Sequence, residues 1–379
     1  MSLAVLAAAF FFNLGQGVLR PSLPLYLQQF FGANYRMVTL IPVVFGAGKW
    51  LANLPTGYLL DRLGRTRLMV CGLLVIAACD IASVVVPIYA AFLGVRGVAG
   101  AGWAMFATVA TTTMVDRSGD RRARAVTLLL MSETIGLLLG STVGGRIYQD
   151  LGIASPFLFE AACMILAAST VAWFPLSKRT APAQLSGHVL RTVLRVPGVI
   201  LMSLVNAALA GVQTGVLVFL FPLYLSKQGG LRPEAVGYLV ALGVLGRLAA
   251  LWLAGSGSDR PNRAAMLRAG LLCYGLLLGS LAFVINPVLL GLWSFMIGAG
   301  AGFVAGLPTT IIGERVGPER SGVAIGWLRT VTDTGMLVGP LVMGVLADGI
   351  HLAAPFVVAG ALMCLLAVPG HRPVEVGAG

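Results

Sequence analysis

The chain has 379 residues, of which 58% are hydrophobic and only 11% are charged, and its mean hydropathy is +0.91. Because soluble globular proteins carry about 25% charged residues, this composition argues against a water-soluble enzyme, and the chain is far too apolar to be disordered. The net charge of +12 would suit a nucleic-acid binder, but basic residues on cytoplasmic loops give a membrane protein the same sum.

Charged, glycine and proline residues divide the chain into twelve apolar stretches, each long enough to cross a bilayer as a helix of about 20 residues. The stretches are 4–27, 38–60, 68–87, 89–114, 125–147, 155–175, 198–225, 236–256, 265–285, 288–312, 321–346 and 354–369. The polar segment 176–197 separates the first six from the last six. We therefore expect an all-α membrane protein with six-helix bundles at 1–175 and 198–379, joined by a cytoplasmic linker at 176–197.

Metal, disulfide and cofactor chemistry is not indicated. The five cysteines lie inside apolar stretches without metal-ligand spacing, and the chain has only three histidines. No nucleophile, base and orienting group can be identified from spacing. We expect neither an enzyme nor a bound cofactor.

Basic residues divide unequally between the two ends of the predicted helices. Most of the 26 Lys and Arg residues fall on the connections that share a side with the termini, and only Arg36, Arg146, Lys227 and Arg232 fall on the opposite connections. The positive-inside rule then places both termini in the cytoplasm of a cell-membrane protein. The start, Met1-Ser2-Leu3, lacks the basic region of a cleaved signal peptide.

Landmarks of the first half recur in the second at one spacing. Pro24-Leu25-Tyr26-Leu27 returns as Pro222-Leu223-Tyr224-Leu225, and Lys49 returns as Arg247 at the same offset. A glycine pattern on helix five returns on helix eleven one position further along. A single offset shared by several helices predicts a duplication, as in transporters whose two bundles rock around a central site.

The segment after the second helix reads Gly57-Tyr58-Leu59-Leu60-Asp61-Arg62-Leu63-Gly64-Arg65-Thr66-Arg67. It resembles the loop signature of the major facilitator superfamily. The resemblance implies a gate latch in which Asp61 pairs with a basic residue such as Arg117. The alternative is a basic loop that only sets topology. The predicted gating residues are Gly57, Asp61, Arg62, Gly64, Arg65, Arg117, Asp259 and Arg260.

Helix five carries Gly136-Leu137-Leu138-Leu139-Gly140-Ser141-Thr142-Val143-Gly144-Gly145. This resembles the antiporter motif of the same family, with Ser141 at the proline position, and is closest in pattern to twelve-helix drug–proton antiporter-like members. The resemblance implies efflux, whereas close helix packing by small residues is the alternative. The packing set is Gly136, Gly140, Gly144, Gly145, Gly335, Gly339 and Pro340.

Nine ionisable residues interrupt the apolar stretches: Arg20, Lys49, Asp80, Arg96, Glu133, Glu160, Arg247, Arg329 and Asp333. Each would cost about 3 kcal/mol against lipid, so most should face the bundle interior. Arg329 and Asp333 are four apart and are expected to pair. The candidates for carrying a proton are Glu133, Asp333 and Asp80, with a static salt bridge as the alternative for each. Predicted cavity residues are Asn13, Gln16, Arg20, Lys49, Asn53, Arg96, Trp103, Gln213, Arg247 and Arg329.

Together these features predict a secondary active transporter that moves a small solute by alternating access, with proton-coupled efflux implied by the family motif. The alternatives are proton-linked or facilitated uptake of a small organic solute, a lipid or lysolipid flippase, and a non-transporting sensor or scaffold. Helix one lacks the acid that drug–proton antiporters often carry, so a neutral or anionic substrate is tolerated at least as well as a cation. The expected partners are a substrate, protons and membrane lipids, without nucleic acid, for a monomer.

Overall fold

A computed structural model describes residues 2–116, 122–174, 191–192, 194–255, 262–316 and 321–368. Within these ranges every regular element is a helix. Ten of the described helices are long and apolar enough to cross a membrane, and Ala354–Ala367 is a shorter apolar helix. The all-α membrane fold predicted from the sequence is confirmed.

The helices fall on the predicted apolar stretches. In the first half they are α1 (Ser2–Phe31), α2 (Tyr35–Leu63), α3 (Arg65–Val85), α4 (Tyr89–Asp116), α5 (Arg122–Leu151) and α6 (Ser155–Trp173). In the second half they are α7 (Val199–Val212, Gln213–Leu220 and Phe221–Lys227), α8 (Pro233–Gly255), α9 (Arg263–Leu281), α10 (Pro287–Ala305 and Leu307–Val316), α11 (Ser321–Gly349) and α12 (Ala354–Ala367).

Two helices of the second half are irregular in their middles. In α7, Gln213–Leu220 is a π-helix, and the Phe221 N–H donates to the Val216 carbonyl, five residues back. Pro222 follows directly and has no N–H with which to continue an α-helical ladder. In α10 the helix is interrupted at Gly306, where glycine is a poor helix former and Pro308 removes another donor.

The contacts of the two halves repeat, as the sequence duplication predicts. In the first half α1 packs on α5 and α2 packs on α4, and in the second α7 packs on α11 and α8 on α10. The Tyr26 hydroxyl donates to the Ser83 carbonyl at 3.3 Å, and its counterpart Tyr224 donates to the Leu281 carbonyl at 2.9 Å. Each half therefore ties the end of its first helix to the end of its third by the same hydrogen bond.

Glycine allows the closest helix approaches. A Cβ on Gly100 would collide with the Phe45 carbonyl of α2, and a Cβ on its counterpart Gly298 would collide with the Gly243 carbonyl of α8. Small residues let helices approach to backbone contact. The repeat thus preserves the fit between helices as well as their order.

The halves meet along two lines of contact, which we call the α2/α11 seam and the α5/α8 seam. At one end, here called the closed end, both seams are tight. The Asp348 carboxylate of α11 accepts hydrogen bonds from the backbone N–H groups of Tyr35 (2.8 Å) and Arg36 (2.7 Å), the first residues of α2. On the other seam, Gly145 lies against the Pro233 carbonyl. The opposite end is the one at which α1 begins.

The predicted linker at 176–197 lies largely outside the described residues. The division of the chain at 175 and 198 therefore stays a prediction.

Candidate functional site

A cavity of about 360 Å³ lies between the two halves, lined by α1, α5, α7, α8 and α10. Most of its wall is aliphatic. Its charged and polar lining residues are Asn13, Arg20, Glu133, Thr134, Gln213, Arg247 and Ser294. A second cavity of about 170 Å³ shares Gln213 and Arg247 with the first and adds Asn206, Tyr274 and Thr332. The sequence predicted Asn13, Arg20, Gln213 and Arg247 as cavity residues, and the structure brings these four together.

Two cations face this space without an internal counter-ion. Among the described residues, neither Arg20 nor Arg247 forms an ion pair or a side-chain hydrogen bond. Both side chains line the same cavity. At a rise of 1.5 Å per residue, Arg20 lies about 17 Å and Arg247 about 21 Å from the closed end. The middle of the cavity is therefore strongly positive.

Glu133 is the acid on this wall within the described chain. It lies about 27 Å from the closed end of its helix, farther from that end than either arginine. No hydrogen bond or ion pair holds its carboxyl within the described residues. Glu133 thus faces the cavity without a partner among the described residues.

The π-helical part of α7 forms one side of the cavity. Gln213, Leu217 and Val218 from this segment all line it. Within the described residues, the Gln213 amide has no hydrogen-bond partner. π-Helical turns occur often at functional sites, and this one presents a polar side chain to both cavities.

A separate ion pair joins the halves at the α2/α11 seam. Lys49 Nζ lies 3.4 Å from Asp333 Oδ1 and 4.3 Å from the centre of the Trp103 ring. The sequence predicted Arg329 as the partner of Asp333, because i,i+4 reasoning considers one helix only. The structure gives Asp333 a partner from the other half, and the side chain of Arg329 lies outside the described residues, as does that of Asn53.

Arg96 and Gln16, which the sequence predicted as cavity residues, do not line either cavity, and neither does Asp80, which it predicted as a proton carrier. Arg96 Nη2 donates to Asp80 Oδ1 at 2.8 Å and to Ser83 Oγ at 2.7 Å, and Gln16 Nε2 donates to Glu160 Oε1. Asp80 and Glu160 are fully buried, and Arg96 is 3% exposed. Helical periodicity predicted the face of α4, but the long Arg96 side chain reaches across to α3 inside the first half.

This buried cluster holds two carboxyls and one guanidinium. The Asp80 and Glu160 carboxyls lie within hydrogen-bonding reach of each other. One oxygen of each, Asp80 Oδ2 and Glu160 Oε2, otherwise lacks a partner. A single proton shared between these two oxygens would satisfy both of them and leave one negative charge opposite the Arg96 guanidinium. It ties α1, α3, α4 and α6 together.

The predicted gating loop is described only in part. Gly57 lies within α2, Gly64 ends that helix with a φ of 78°, and Arg65 is 3% exposed at the start of α3. A positive φ favours glycine over other residues. The side chains of Asp61 and Arg62, and residues Arg117, Asp259 and Arg260, lie outside the described residues, so the latch stays a prediction.

The predicted packing glycines are all in helix contacts. Gly136, Gly140 and Gly144 lie against backbone of α1, and Gly335 and Gly339 lie against backbone of α7. Gly145 turns to α8 of the other half, and Pro340 lies beside Gly215. The motif therefore packs helices within each half, and its last glycine reaches the seam.

Among the polar cavity residues, Thr134, Tyr274, Ser294 and Thr332 escaped sequence reasoning. The repeat could have found two of them. The offset that relates Gly136 to Gly335 also relates Thr134 to Asp333, and the main offset relates Arg96 to Ser294.

Comparison with known proteins gives a consistent result. The profile of the family described as Major Facilitator Superfamily matches residues 5–333 and 204–375. The multidrug resistance protein MdtG of Yersinia enterocolitica is 23% identical, over 90% of this chain and 85% of that protein. The uncharacterized MFS-type transporter YcaD of Escherichia fergusonii is 26% identical, over 79% of this chain and 76% of that protein. The crystal structure of the nucleoside transporter NupG has a TM-score of 0.80 at 14% identity, covering 97% of both chains, which is a likeness of fold.

Proposed function

Since the chain belongs to the Major Facilitator Superfamily, we propose that it carries a small solute through the central cavity by alternating access, coupled to protons through Glu133. The loop signature around Asp61 predicted this family, and the chain is a multi-pass membrane transporter rather than an enzyme. One observation carries the proposal. A cavity lies between two repeated halves, hydrogen bonds join the halves at one end, and the cavity wall carries an acid that has no ion-pair or hydrogen-bond partner among the described residues.

The closed end supplies the gate that alternating access requires. Its cross-half bonds are few, chiefly the two that Asp348 accepts from α2 and the contact of Lys227 Nζ with the Tyr35 hydroxyl at 3.4 Å. Rocking of the halves about the cavity would break these bonds together. On the topology that the positive-inside rule predicts, with both termini inside, the closed end faces outward and the cavity is reached from the cytoplasm.

Glu133 is suited to carry the proton. Ionisable residues within a membrane mark substrate or proton pathways by default. Asp333 is engaged by Lys49 and Asp80 by Arg96, whereas Glu133 faces open cavity. Of the three acids predicted as proton carriers, Glu133 therefore has the best position.

Export in exchange for protons is supported by the glycine motif of α5 and by similarity to proteins named for multidrug resistance. In this arrangement substrate and proton compete. A cationic solute would compete directly with the proton for Glu133, which is the linkage an antiporter needs.

Uptake of an organic anion together with protons is a second candidate, favoured by the two unpaired arginines. Protonation of Glu133 removes a negative charge that would repel an anion. Anion and proton then bind better together than apart, which is the linkage of a symporter. The charge of the substrate therefore decides between the two directions.

The test is reconstitution into liposomes with an imposed pH gradient, followed by a panel of cationic, neutral and anionic solutes scored by internal pH. We expect one charge class to move protons in the wild type and Glu133→Gln to abolish that movement with normal insertion. Glu234→Gln is the matched control, because Glu234 is at the closed end and bonds Tyr238 of its own helix. No proton movement with any solute would overturn the coupling, and equal movement by Glu133→Gln would remove its role.

A further inference from the structure

We infer that the transported solute is an amphipathic organic anion, with one carboxylate or similar oxyanion held between Arg20 and Arg247 and a compact apolar body against the aliphatic wall. The inference rests on the proposed function and deepens it, since it names the substrate class for the same cavity and thereby favours the second candidate, uptake together with protons.

The first argument is the contrast among the intramembrane cations. Lys49 is paired with Asp333, and Arg96 with Asp80. Of the intramembrane cations whose side chains are described, Arg20 and Arg247 alone lack an anion, and these two share the cavity wall. A guanidinium withdrawn from bulk water without a counter-ion is costly. An incoming anion would supply the counter-ion that Arg20 and Arg247 lack among the described residues.

The second argument is charge balance. Glu133 is the acid on the cavity wall within the described residues, and it does not contact either arginine at ion-pair distance. With Glu133 ionised, the described cavity wall carries a net charge of +1, and with Glu133 protonated it carries a net charge of +2. A cationic substrate would enter against this field, whereas an anion is attracted by it.

The third argument is donor geometry. Guanidinium groups bind carboxylates and other oxyanions through paired N–H donors. The unpartnered Gln213 amide lies on the wall of both cavities and adds a neutral donor between them. The site therefore offers donors from α1, α7 and α8 to one small group of acceptor oxygens.

The rest of the wall defines the body of the ligand. It is formed largely by aliphatic and aromatic side chains, including Leu137, Leu217, Val218, Phe221, Val240 and Ile297. A sugar would need many more polar partners than this wall provides. The volume of about 360 Å³ is at the small end of ligand pockets, which span about 300–1,000 Å³. A small aromatic or short-chain aliphatic acid fits both the wall and the volume.

The inference also gives a sign to the pH dependence of binding. The charged groups that face Glu133 across the cavity are Arg20 of α1 and Arg247 of α8, while α7 and α10 contribute the neutral Gln213 and Ser294. Protonation of Glu133 makes the cavity more positive, so anion affinity should rise as pH falls while the ligand stays ionised. Glu133→Gln should remove this dependence.

The experiment measures binding to the full-length protein in lipid nanodiscs. The probes are benzoate and octanoate, their neutral amides benzamide and octanamide, and benzyltrimethylammonium. We expect both acids to bind about tenfold or more tightly than their amides, and Arg20→Gln and Arg247→Gln each to weaken acid binding by about ten- to hundredfold. Arg146→Gln is the matched control, since Arg146 is exposed and pairs with Asp150 of its own helix, and it should bind as the wild type does.

Amides or the cation binding as well as the acids, or no binding of either acid, would overturn the inference, and the wild-type comparison decides this even where a variant fails to insert. Affinities unchanged in both arginine variants would overturn it as well. Arginine-dependent binding of the acids without flux of either acid in liposomes would leave the inference standing and count against the proposed function. Proton-coupled flux of a neutral or cationic solute with no binding of the acids would overturn the inference and leave the proposed function standing.

Discussion

The two seams occupy equivalent places in the repeat, yet they are built differently. At the α2/α11 seam, Lys49 lies 3.4 Å from Asp333. At the α5/α8 seam the equivalent positions hold Arg247 and Thr134, both of which line the cavity. Duplication supplied each seam with a cation, but only one received the matching acid. We call the α2/α11 seam the fastened seam, because an ion pair joins its two helices at mid-membrane. We call the α5/α8 seam the open or unfastened seam, because its cation lines the cavity without such a partner among the described residues.

This difference separates two tasks that a symmetric molecule would have to share. On the proposed mechanism, the fastened seam would keep the halves in register while they rock. The unfastened seam supplies uncompensated charge for binding. A transporter built from a repeat can therefore gain a binding site by losing one internal ion pair, without any change in helix order.

The largest effect is expected from converting the open seam into a copy of the fastened one. Thr134→Asp places an acid at the position equivalent to Asp333, where it can pair with Arg247. The new carboxylate both engages Arg247 and repels an anion, so benzoate affinity should fall by about a hundredfold. The neutral Thr134→Asn is the control, and nanodisc binding is the measurement. Retained affinity in Thr134→Asp would show that Arg247 does not hold the anion.

The converse change unfastens the other seam. Asp333→Asn leaves Lys49 half-buried without its counter-ion. The free energy of unfolding should fall by about 1–3 kcal/mol, less than for a fully buried pair, because both side chains are partly exposed. Thermal unfolding in detergent measures this loss. We also expect slower flux, because the halves lose their mid-membrane link.

The double variant Lys49→Met with Asp333→Leu separates stability from transport. It should recover the unfolding temperature, since an apolar pair can replace an ion pair. Recovery of flux as well would mean that the pair acts only as a fastening, whereas recovered stability without flux would assign the pair a part in coupling.

The smallest effect is expected at the closed end, which both seams share. Asp348→Ala removes the acceptor for two N–H groups at the start of α2, worth about 1 kcal/mol as a helix cap. The population open at this end should rise about fivefold. Distances between spin labels at Asn34→Cys and Ile350→Cys, in a background without the native cysteines, report that population. Asp150→Ala is the control, because Asp150 pairs within its own helix, and an unchanged distribution in Asp348→Ala would show that these bonds do not hold the gate.

Much of the architecture followed from the sequence because its causes are local. Helix length, hydropathy and the 198-residue offset placed the spans and the two halves. Arg20, Arg247 and Gln213 were placed in the cavity because polar groups in apolar helices must find water or partners. Apart from the offset, which compares the two halves, these inferences need only one helix at a time.

Partners across helices were harder to predict. Arg96 was assigned to the cavity by its helical face, yet its side chain reaches Asp80 on α3. Asp333 was predicted to pair with Arg329, whose side chain lies outside the described residues, and its contact with Lys49 in the other half was not predicted. Thr134 drew no notice because threonine is common in membrane helices, and its meaning depends on the acid found at the equivalent position. Periodicity gives a direction from the helix axis, but the neighbour met in that direction is set by tertiary packing.

The π-helical stretch of α7 makes this span more loosely wound than its counterpart α1, which is α-helical along its length. Gln213–Leu220 is wound more loosely than the α-helical turns on either side. Tightening it to α geometry would turn Phe221–Lys227 about the helix axis relative to Val199–Val212, and would carry Lys227 away from the Tyr35 ring, whose centre is now 4.9 Å from its Nζ. A ligand that binds Gln213 could thereby release the contact of Lys227 at the far end of the same helix. Ligand binding in the cavity would then affect the gate through a change in helix geometry.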